Sequence, residues 1–116
     1  MTQPTPQLTI IALTWNEAAD LEPCFASLRP LVDRIGARTL VVLDNKADVP
    51  TTLAATRVAG KVVQHYFENF ARQRNFALDT ATSEWVFFID PDERATPQLC
   101  DELSQVMQRA DCGAWQ

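Results

Sequence analysis

Glycine is scarce in this chain of 116 residues. Only three glycines occur, Gly36, Gly60 and Gly113, and none of them follows the first run of β-forming residues. Neither Gly-x-Gly-x-x-Gly nor Gly-x-x-x-x-Gly-Lys-Ser/Thr is present. Those glycine-rich loops allow the backbone to approach phosphate groups closely. Their absence therefore excludes the dinucleotide-binding and P-loop classes of phosphate site.

Cysteine and positive charge are also limited. The three cysteines lack the spacing of a metal site, and we interpret this odd, scattered set as reduced thiols in a cytosolic protein. The net charge of -5 argues against a nucleic-acid partner. No apolar run is long enough for a signal peptide or a transmembrane segment. We expect a cytoplasmic protein, with peripheral association at the inner face of the membrane as an open alternative.

Strand-like and helix-like segments alternate along the chain. Residues 1–7 are expected to be a flexible lead-in, and residues 8–116 one domain. The β-forming runs lie at 8–13, 38–43, 61–64 and 85–89. This alternation predicts a Rossmann-like, three-layer α/β/α fold with a mostly parallel sheet. Residues 112–116 resemble the start of a fifth strand that is cut off, and an open sheet edge there would favour self-association.

Capping residues and apolar spacing predict where the helices lie. Asp20 is a suitable N-cap for a first helix that Pro30 ends. The loop after the third strand leads to Asn69, which is a suitable N-cap for a helix over 70–80. Thr96 and Pro97 begin the last helix, which is expected to end near residue 109. The buried stripe of that helix is predicted to contain Leu99, Leu103, Val106, Met107 and Ala110.

The helix over 70–80 contains a charge in an apolar stripe. At 3.6 residues per turn, one face contains Phe70, Ala77, Leu78 and Ala81. Arg74 falls in the middle of that face. A charge inside an apolar stripe is costly unless it meets an anion, so Arg74 is a candidate binding residue. A snorkelling side chain or a structural ion pair is the alternative explanation.

The most informative stretch is the apolar run Trp85–Ile89 followed by Asp90, Pro91 and Asp92. The run is too short for a helix and rich in β-formers, so we predict a strand buried on both faces. The two acids would then lie at the carboxyl end of a parallel strand, where α/β sheets bind ligands. Two close carboxylates repel each other, and a divalent cation is the usual solution. On these residues alone, an acidic turn explains the pattern equally well.

Polar residues follow the other strands and are expected at the same edge of the sheet. They are Thr14, Asn16, Glu17, Asp44 and Glu68. Arg74 belongs to the helix that begins at this edge. An acidic crevice with one nearby cation suits a nucleotide, because carboxylates accept hydrogen bonds from a base or a ribose. A metal held by Asp92 would neutralise a diphosphate.

Four segments occur in an order and spacing that is fairly specific, although each motif is weak alone. They are Leu13–Glu17, Val41–Asp44, Phe70–Leu78 and Trp85–Glu93. They are similar to a Thr-x-Asn-Glu strand ending, a strand-ending aspartate, an Arg-Asn helix and an Asp-x-Asp strand ending. Together they resemble the N-terminal half of inverting family 2 glycosyltransferases with the GT-A fold. The similarity extends from Leu8 to Met107 and is greatest to the lipopolysaccharide-core glucosyltransferase branch.

This resemblance implies a nucleotide-sugar donor, often a UDP-sugar. Asp44 would bind the base. The loop that contains Thr14, Asn16 and Glu17 would flank the base and ribose. Arg74 would lie against the base or the diphosphate.

The resemblance also implies a metal cofactor and an acceptor. Asp90 would contact the ribose or sugar, and Asp92, with Asp90, would bind Mg2+ or Mn2+ on the diphosphate. The metal would act as a Lewis acid for the departing nucleoside diphosphate. The sugar would pass to a glycan or lipid-linked acceptor, as in lipopolysaccharide or cell-envelope glycan biosynthesis.

The chain departs from the family pattern in two places. The loop at 45–51 lacks the Ser-Thr-Asp-Gly-Thr-like sequence usual after the second strand, which leaves base recognition open. The general base of an inverting transferase is expected beyond residue 116, in the half that selects the acceptor. The catalytic residue is therefore unknown, and we expect a donor-binding half with little or no turnover alone.

Three other classes of protein compete with this interpretation. A non-catalytic nucleotide-binding or metal-binding module is the main alternative. A receiver-type signalling domain needs an acidic pair after the first strand and an aspartate after the third. Here those places have Thr14–Asn16 and His65–Phe67, so the fit is poor. A nucleotidyltransferase would need a glycine-rich, basic loop after the first strand.

Overall fold

The structure is a computed structural model that describes residues 8–111, with side chains to residue 109. The predicted lead-in at 1–7 and the predicted fifth strand at 112–116 lie outside these residues. Strands and helices alternate within the described range as β1 (Leu8–Thr14), α1 (Ala18–Ser27), α2 (Arg29–Ile35), β2 (Arg38–Leu43), α3 (Val49–Val58), β3 (Lys61–Gln64), α4 (Phe70–Thr80), β4 (Trp85–Phe88) and α5 (Pro97–Asp111). The α/β class is confirmed. No helix in this range is long and apolar enough to cross a membrane.

The four strands form one parallel sheet in the order β3-β2-β1-β4. Thr14 pairs with Leu43, and Leu43 pairs with Gln64, so three strands end side by side. On the other side of β1, Ile11 pairs with Phe88 near the end of β4. Because all four strands are parallel, the loops that follow them meet at one edge of the sheet.

Helices cover the two faces of the sheet unequally. Alternate residues of β1 point to opposite faces. Ile10 and Ala12 belong to the larger core, which packs against α1, α2, α3 and α5. Ile11 belongs to the smaller core with Ala77 of α4. The predicted three-layer arrangement is therefore confirmed, with one helix on one side and four on the other.

The first predicted helix is in fact two helices. The prediction that Asp20 caps it is wrong, because α1 begins at Ala18 with Glu17 at the N-cap and Asp20 in the first turn. Pro30 does not end α1 but lies in the first turn of α2, where its missing N–H removes no hydrogen bond. Gly36 ends α2 with a φ of 65°, a left-handed conformation that glycine adopts without strain.

The prediction that β4 is buried on both faces is wrong. Within residues 8–111 this strand pairs only with β1, so it is an edge strand. Trp85 is 37% exposed, and the other three residues are half-buried. Ile89, the buried residue of the run, follows the strand. An apolar run predicts a strand, but it does not distinguish an edge strand from a central one.

The predicted buried face of α4 is correct for Ala77 but wrong for Phe70 and Leu78, and the predicted start at Asn69 is confirmed. The Asn69 side chain accepts a hydrogen bond from the Arg72 amide at 2.9 Å. The buried residues are Gln73 and Ala77, whereas Phe70 is 62% exposed and Leu78 is 43% exposed. Gln73 is buried because its amide group exchanges two hydrogen bonds with the ring and carbonyl of His65.

The predicted N-cap of the last helix is confirmed, whereas its predicted buried face is only partly correct. Thr96 Oγ1 accepts from the Leu99 amide at 3.1 Å, as an N-cap should. Met107 is buried as predicted, but Cys100 and Ser104 are buried beside it. The remaining predicted positions, Leu99, Leu103 and Val106, are half-buried, and the Ala110 side chain lies outside the described residues.

Candidate functional site

Backbone hydrogen bonds continue past the ends of the strands and bring their loops together. The Asp44 amide donates to the Thr14 carbonyl at 3.1 Å, and the Asp48 amide donates to the Trp15 carbonyl at 3.2 Å. The His65 amide donates to the Leu43 carbonyl at 2.8 Å on the opposite side of β2. The loops after β1, β2 and β3 therefore form one continuous surface at the carboxyl edge.

Asp44 links two of these loops through its carboxylate. Oδ1 accepts from the Phe67 amide at 2.7 Å, and Oδ2 accepts from the Lys46 amide at 3.1 Å. The side chain is buried. Each carboxylate oxygen can accept two hydrogen bonds, so each still has capacity for a ligand. Asp44 thus has a structural role that sequence reasoning missed, beside the base-binding role predicted for it.

The three residues predicted to bind a ligand in the loop after β1 have different environments. Thr14 is buried, and its hydroxyl donates to Glu17 Oε1 at 2.7 Å. Thr14 therefore orients Glu17 and is covered by it. Asn16 is exposed, so it is the residue of the three most open to a ligand. Glu68, expected at the same edge, pairs instead with Arg72 at 3.2 Å on the outer side of α4.

A row of aromatic rings lies along this edge. Trp15 and Phe67 have ring centroids 5.1 Å apart, and the Phe67 and Phe70 centroids are also 5.1 Å apart, in an edge-to-face arrangement. Trp15 and Phe70 are exposed, so the row offers apolar surface to a planar ligand. Sequence reasoning gave no ligand-binding role to the two phenylalanines, which flank the polar Glu68-Asn69 pair.

A cleft of about 270 Å³ lies beside the aromatic row. Its lining consists of Leu13, Phe70, Arg74, Phe88, Ile89 and Asp90. The guanidinium of Arg74 lies 5.5 Å from the centre of the Phe88 ring, and it forms no salt bridge to any residue that the structure describes. Arg74 therefore faces the crevice near Asp90. The prediction that Arg74 lies within a buried apolar stripe is wrong, because Arg74 lies on an exposed stripe of α4 with Phe70 and Leu78.

Asp90 and Asp92 lie in a tight turn after β4, and we call Asp90–Glu93 the carboxylate turn. The Asp90 amide donates to Glu93 Oε1 at 2.9 Å, and the Glu93 amide donates to the Asp90 carbonyl at 2.9 Å. The side chains of Asp90 and Asp92 are exposed, and neither has a partner among the described side chains. Glu93 thus closes the turn while leaving both aspartates free.

This pair of free carboxylates fits Mg2+ or Mn2+. These ions prefer oxygen ligands, and Mg2+ is usually held by one or two carboxylates together with substrate phosphates and water. No group of three or more His, Cys, Asp or Glu side chains within residues 8–109 could hold a metal alone. The protein would therefore supply part of the coordination, and a diphosphate would supply more of it.

The sheet order and this edge define a Rossmann-like α/β domain with a cleft at the carboxyl ends of its strands. Comparison with known proteins gives the family. A family model described as Glycosyl transferase family 2 matches residues 9–115. The chain belongs to this family, which removes the receiver and nucleotidyltransferase alternatives.

Relatives are similar over most of the chain but are much longer. An "uncharacterized glycosyltransferase" of Rickettsia bellii is 26% identical over 102 residues, which are 88% of this chain and 33% of the relative. The lipopolysaccharide core biosynthesis glycosyltransferase LpsC of Rhizobium meliloti is 28% identical over 93% of this chain and 40% of LpsC. The chain thus spans about a third of the length of the first of these relatives.

Solved structures share the fold. The mannosyltransferase PcManGT from Pyrobaculum calidifontis, in complex with GDP-Man and Mn2+, aligns with a TM-score of 0.71 at 26% identity. The alignment covers 95% of this chain and 34% of PcManGT. TarS of S. aureus aligns with a TM-score of 0.68 at 20% identity over 89% of this chain and 32% of TarS. The predicted GT-A fold is confirmed.

The two hydrogen bonds that the Asp44 side chain accepts predict that substitutions of Asp44 and Asp48, which lie in the same loop, differ in their effect on stability. Asp44→Asn is expected to lower the free energy of unfolding by about 1–3 kcal/mol, because one backbone amide would face an NH2 group. Asp48→Asn is the control. Asp48 caps α3 by accepting from the Thr51 amide at 2.8 Å, and Asn caps equally well. Urea denaturation measures both variants, and equal losses would contradict the structural role of Asp44.

Proposed function

We propose that this chain is the donor-binding part of a glycosyltransferase that binds a nucleoside diphosphate sugar with Mg2+ or Mn2+. The observation that supports this most is the carboxylate turn. Asp90 and Asp92 extend from it without partners among the described side chains, and Asp90 lines a cleft that Arg74 also lines. A guanidinium and a carboxylate in the cleft, with a second carboxylate two residues along the turn, match the charges of a metal-bound diphosphate.

Each charged residue has a distinct part in this proposal. Asp92 and Asp90 would hold the metal, which when bound supplies Lewis acidity for departure of the nucleoside diphosphate. Asp90 also lines the cleft, where it can accept from sugar or ribose hydroxyls. Arg74 has guanidinium N–H groups available for a phosphate or base oxygen, since it forms no salt bridge to a described residue and lies 5.5 Å from the centre of the Phe88 ring.

The nucleobase is assigned to the surface between Asp44 and the loop after β1. Uracil and guanine both present a ring N–H, which a carboxylate with spare acceptor capacity can bind. Trp15 and Asn16 are exposed there, and Glu17 lies beside them. We propose a UDP-sugar as the donor, with a GDP-sugar as the competing donor because PcManGT is in complex with GDP-Man.

The acceptor and the base catalyst belong to other parts of the protein in this proposal. Asp90 and Asp92 make poor general bases when they bind a metal, because the metal competes with the proton. We propose that further sequence, like that of the longer relatives, supplies the base and binds a glycan or lipid-linked acceptor. The similarity to LpsC favours lipopolysaccharide or related cell-envelope glycans. A cytoplasmic location, with peripheral membrane association, suits such an acceptor.

Self-association is also proposed at the outer edge of β4. No strand among residues 8–111 pairs with that edge, where a strand of a second copy could pair. Sedimentation across a range of concentrations tests this, and a monomer throughout would contradict it.

Metal-dependent nucleotide binding tests the central part of the proposal. We expect UDP to bind more tightly with Mn2+ than with EDTA, and Asp92→Asn to lose the Mn2+-dependent gain. Glu84→Gln is the matched control, because it removes one exposed carboxylate at the opposite end of β4. Isothermal titration calorimetry measures the affinities, with GDP in parallel. If Asp92→Asn retains the Mn2+-dependent gain, the assignment of the metal to Asp92 is wrong. If GDP binds more tightly than UDP, the base of the donor is guanine and not uracil.

Two arginines of α4 provide a second test. Arg74→Gln is expected to weaken UDP binding about tenfold, because a hydrogen bond to a charged group contributes roughly 1.5–3 kcal/mol. Arg72→Gln is the control, since Arg72 pairs with Glu68 on the outer side of the same helix. The same calorimetric titration applies. Equal affinities for the two variants would show that Arg74 does not contact the nucleotide.

A further inference from the structure

One face of α1 holds the segment that contains the carboxylate turn. Asp20, Cys24 and Ser27 follow the spacing i, i+4 and i+7, so their side chains lie on one face of the helix. All three form hydrogen bonds with residues between Asp90 and Ala95. Sequence reasoning treated Asp20 only as a helix cap and predicted no contact between this helix and the turn.

The two central contacts are made to the backbone. Cys24 Sγ donates to the Asp90 carbonyl at 3.6 Å. Ser27 Oγ accepts from the Ala95 amide at 2.9 Å and donates to the Cys24 carbonyl at 2.5 Å. Burial raises the pKa of the Cys24 thiol to about 11, so this thiol stays protonated and able to donate at neutral pH.

Arg94 forms the third and most extensive contact. Its Nη1 donates to the carbonyls of Pro91 and Glu93, both at 2.9 Å, and its Nη2 donates to Asp20 Oδ1 at 3.0 Å. A guanidinium is planar and its donors have fixed directions. Arg94 therefore joins the backbone of the carboxylate turn to α1 in one geometry. It leaves the side chains of Asp90 and Asp92 untouched.

Arg94 also balances a local excess of negative charge. Four acids lie at or beside the turn, namely Asp20, Asp90, Asp92 and Glu93. Arg94 forms an ion pair with one of them, Asp20, at 3.0 Å. A cation that bonds to the turn reduces the repulsion that would separate its carboxylates.

We propose that Arg94, anchored by Asp20, is a positioning residue that holds Asp90 and Asp92 side by side for a divalent cation. The inference rests on the proposed function, because it assigns these carboxylates to the metal. Arg94 has no predicted contact with nucleotide or metal and acts through the backbone of the turn. Partners of metal ligands in this outer position commonly affect metal affinity strongly.

Stabilisation of the fold is a weaker explanation for the ion pair between Arg94 and Asp20. The side chains of Arg94 and Asp20 are 40% and 42% exposed, and exposed ion pairs contribute little to stability. The Arg57–Glu22 pair is a natural comparison. It also joins an arginine to an acid of α1, at 2.7 Å, with side chains that are 60% and 55% exposed. Arg57 has no hydrogen bond to the carboxylate turn among the described residues.

Titration with Mn2+, run without and with saturating UDP and followed by the electron paramagnetic resonance signal of free Mn2+, tests the inference. Arg94→Gln is expected to weaken Mn2+ binding about tenfold or more, as loss of an outer partner of a metal site does. Arg57→Gln is expected to bind Mn2+ as the unchanged protein does. Arg94→Lys should restore part of the affinity, because it keeps a donor and the charge. Asp20→Asn should weaken binding less than Arg94→Gln, since Arg94 keeps its carbonyl contacts.

A second measurement separates positioning from unfolding. The thermal midpoint of Arg94→Gln should be close to that of Arg57→Gln, while amide hydrogen exchange at Asp90 and Ala95 becomes faster only in Arg94→Gln. Equal Mn2+ affinities for the two glutamine variants would overturn the inference. Mn2+ binding without any UDP binding would overturn the proposed function and leave the positioning role standing. Absence of Mn2+ binding by the unchanged protein, both without and with UDP, would overturn both.

Discussion

The parallel pairing of β1 with its neighbours is the constraint on which the rest of the structure depends. Ile10 and Ile11 of β1 are fully buried on opposite faces of the sheet. Burial of each such side chain stabilises the fold by roughly 1.5–3 kcal/mol, so the register of β1 is strongly fixed. That register brings the loop after β1 against Asp44 on one side and the end of β4 on the other. The cleft at the carboxyl edge is a consequence of this pairing.

The two faces of the sheet are covered by different numbers of helices, and this determines which side chains surround the cleft. On the larger side, α1 lies behind the carboxylate turn and fixes its backbone through Cys24, Ser27 and the Asp20–Arg94 pair. On the smaller side, α4 leaves Phe70 and Arg74 exposed at the cleft. A rigid turn with free carboxylates therefore faces an open surface with a cation. Rigid placement of ligands beside an accessible cleft is what a metal-dependent donor site requires.

The sequence predicted the parts of this arrangement that depend on local patterns. Apolar runs marked the four strands, Asn69 and Thr96 marked two helix starts, and Asp90 and Asp92 were placed at the carboxyl edge. It did not predict which faces are covered, since that depends on tertiary packing. Gln73 is buried through its hydrogen bonds to His65, eight residues earlier. The link between Arg94 and Asp20 spans 74 residues, so no local pattern could indicate it.

The central claim is that the free carboxylates of the turn bind a divalent cation together with a nucleoside diphosphate. Anomalous X-ray scattering from crystals grown with Mn2+ and UDP tests this most directly. The account predicts one strong manganese peak within about 2–2.5 Å of an Asp92 carboxylate oxygen, with diphosphate oxygens completing the coordination. A bound UDP with manganese elsewhere, or with no manganese at the turn, would contradict it.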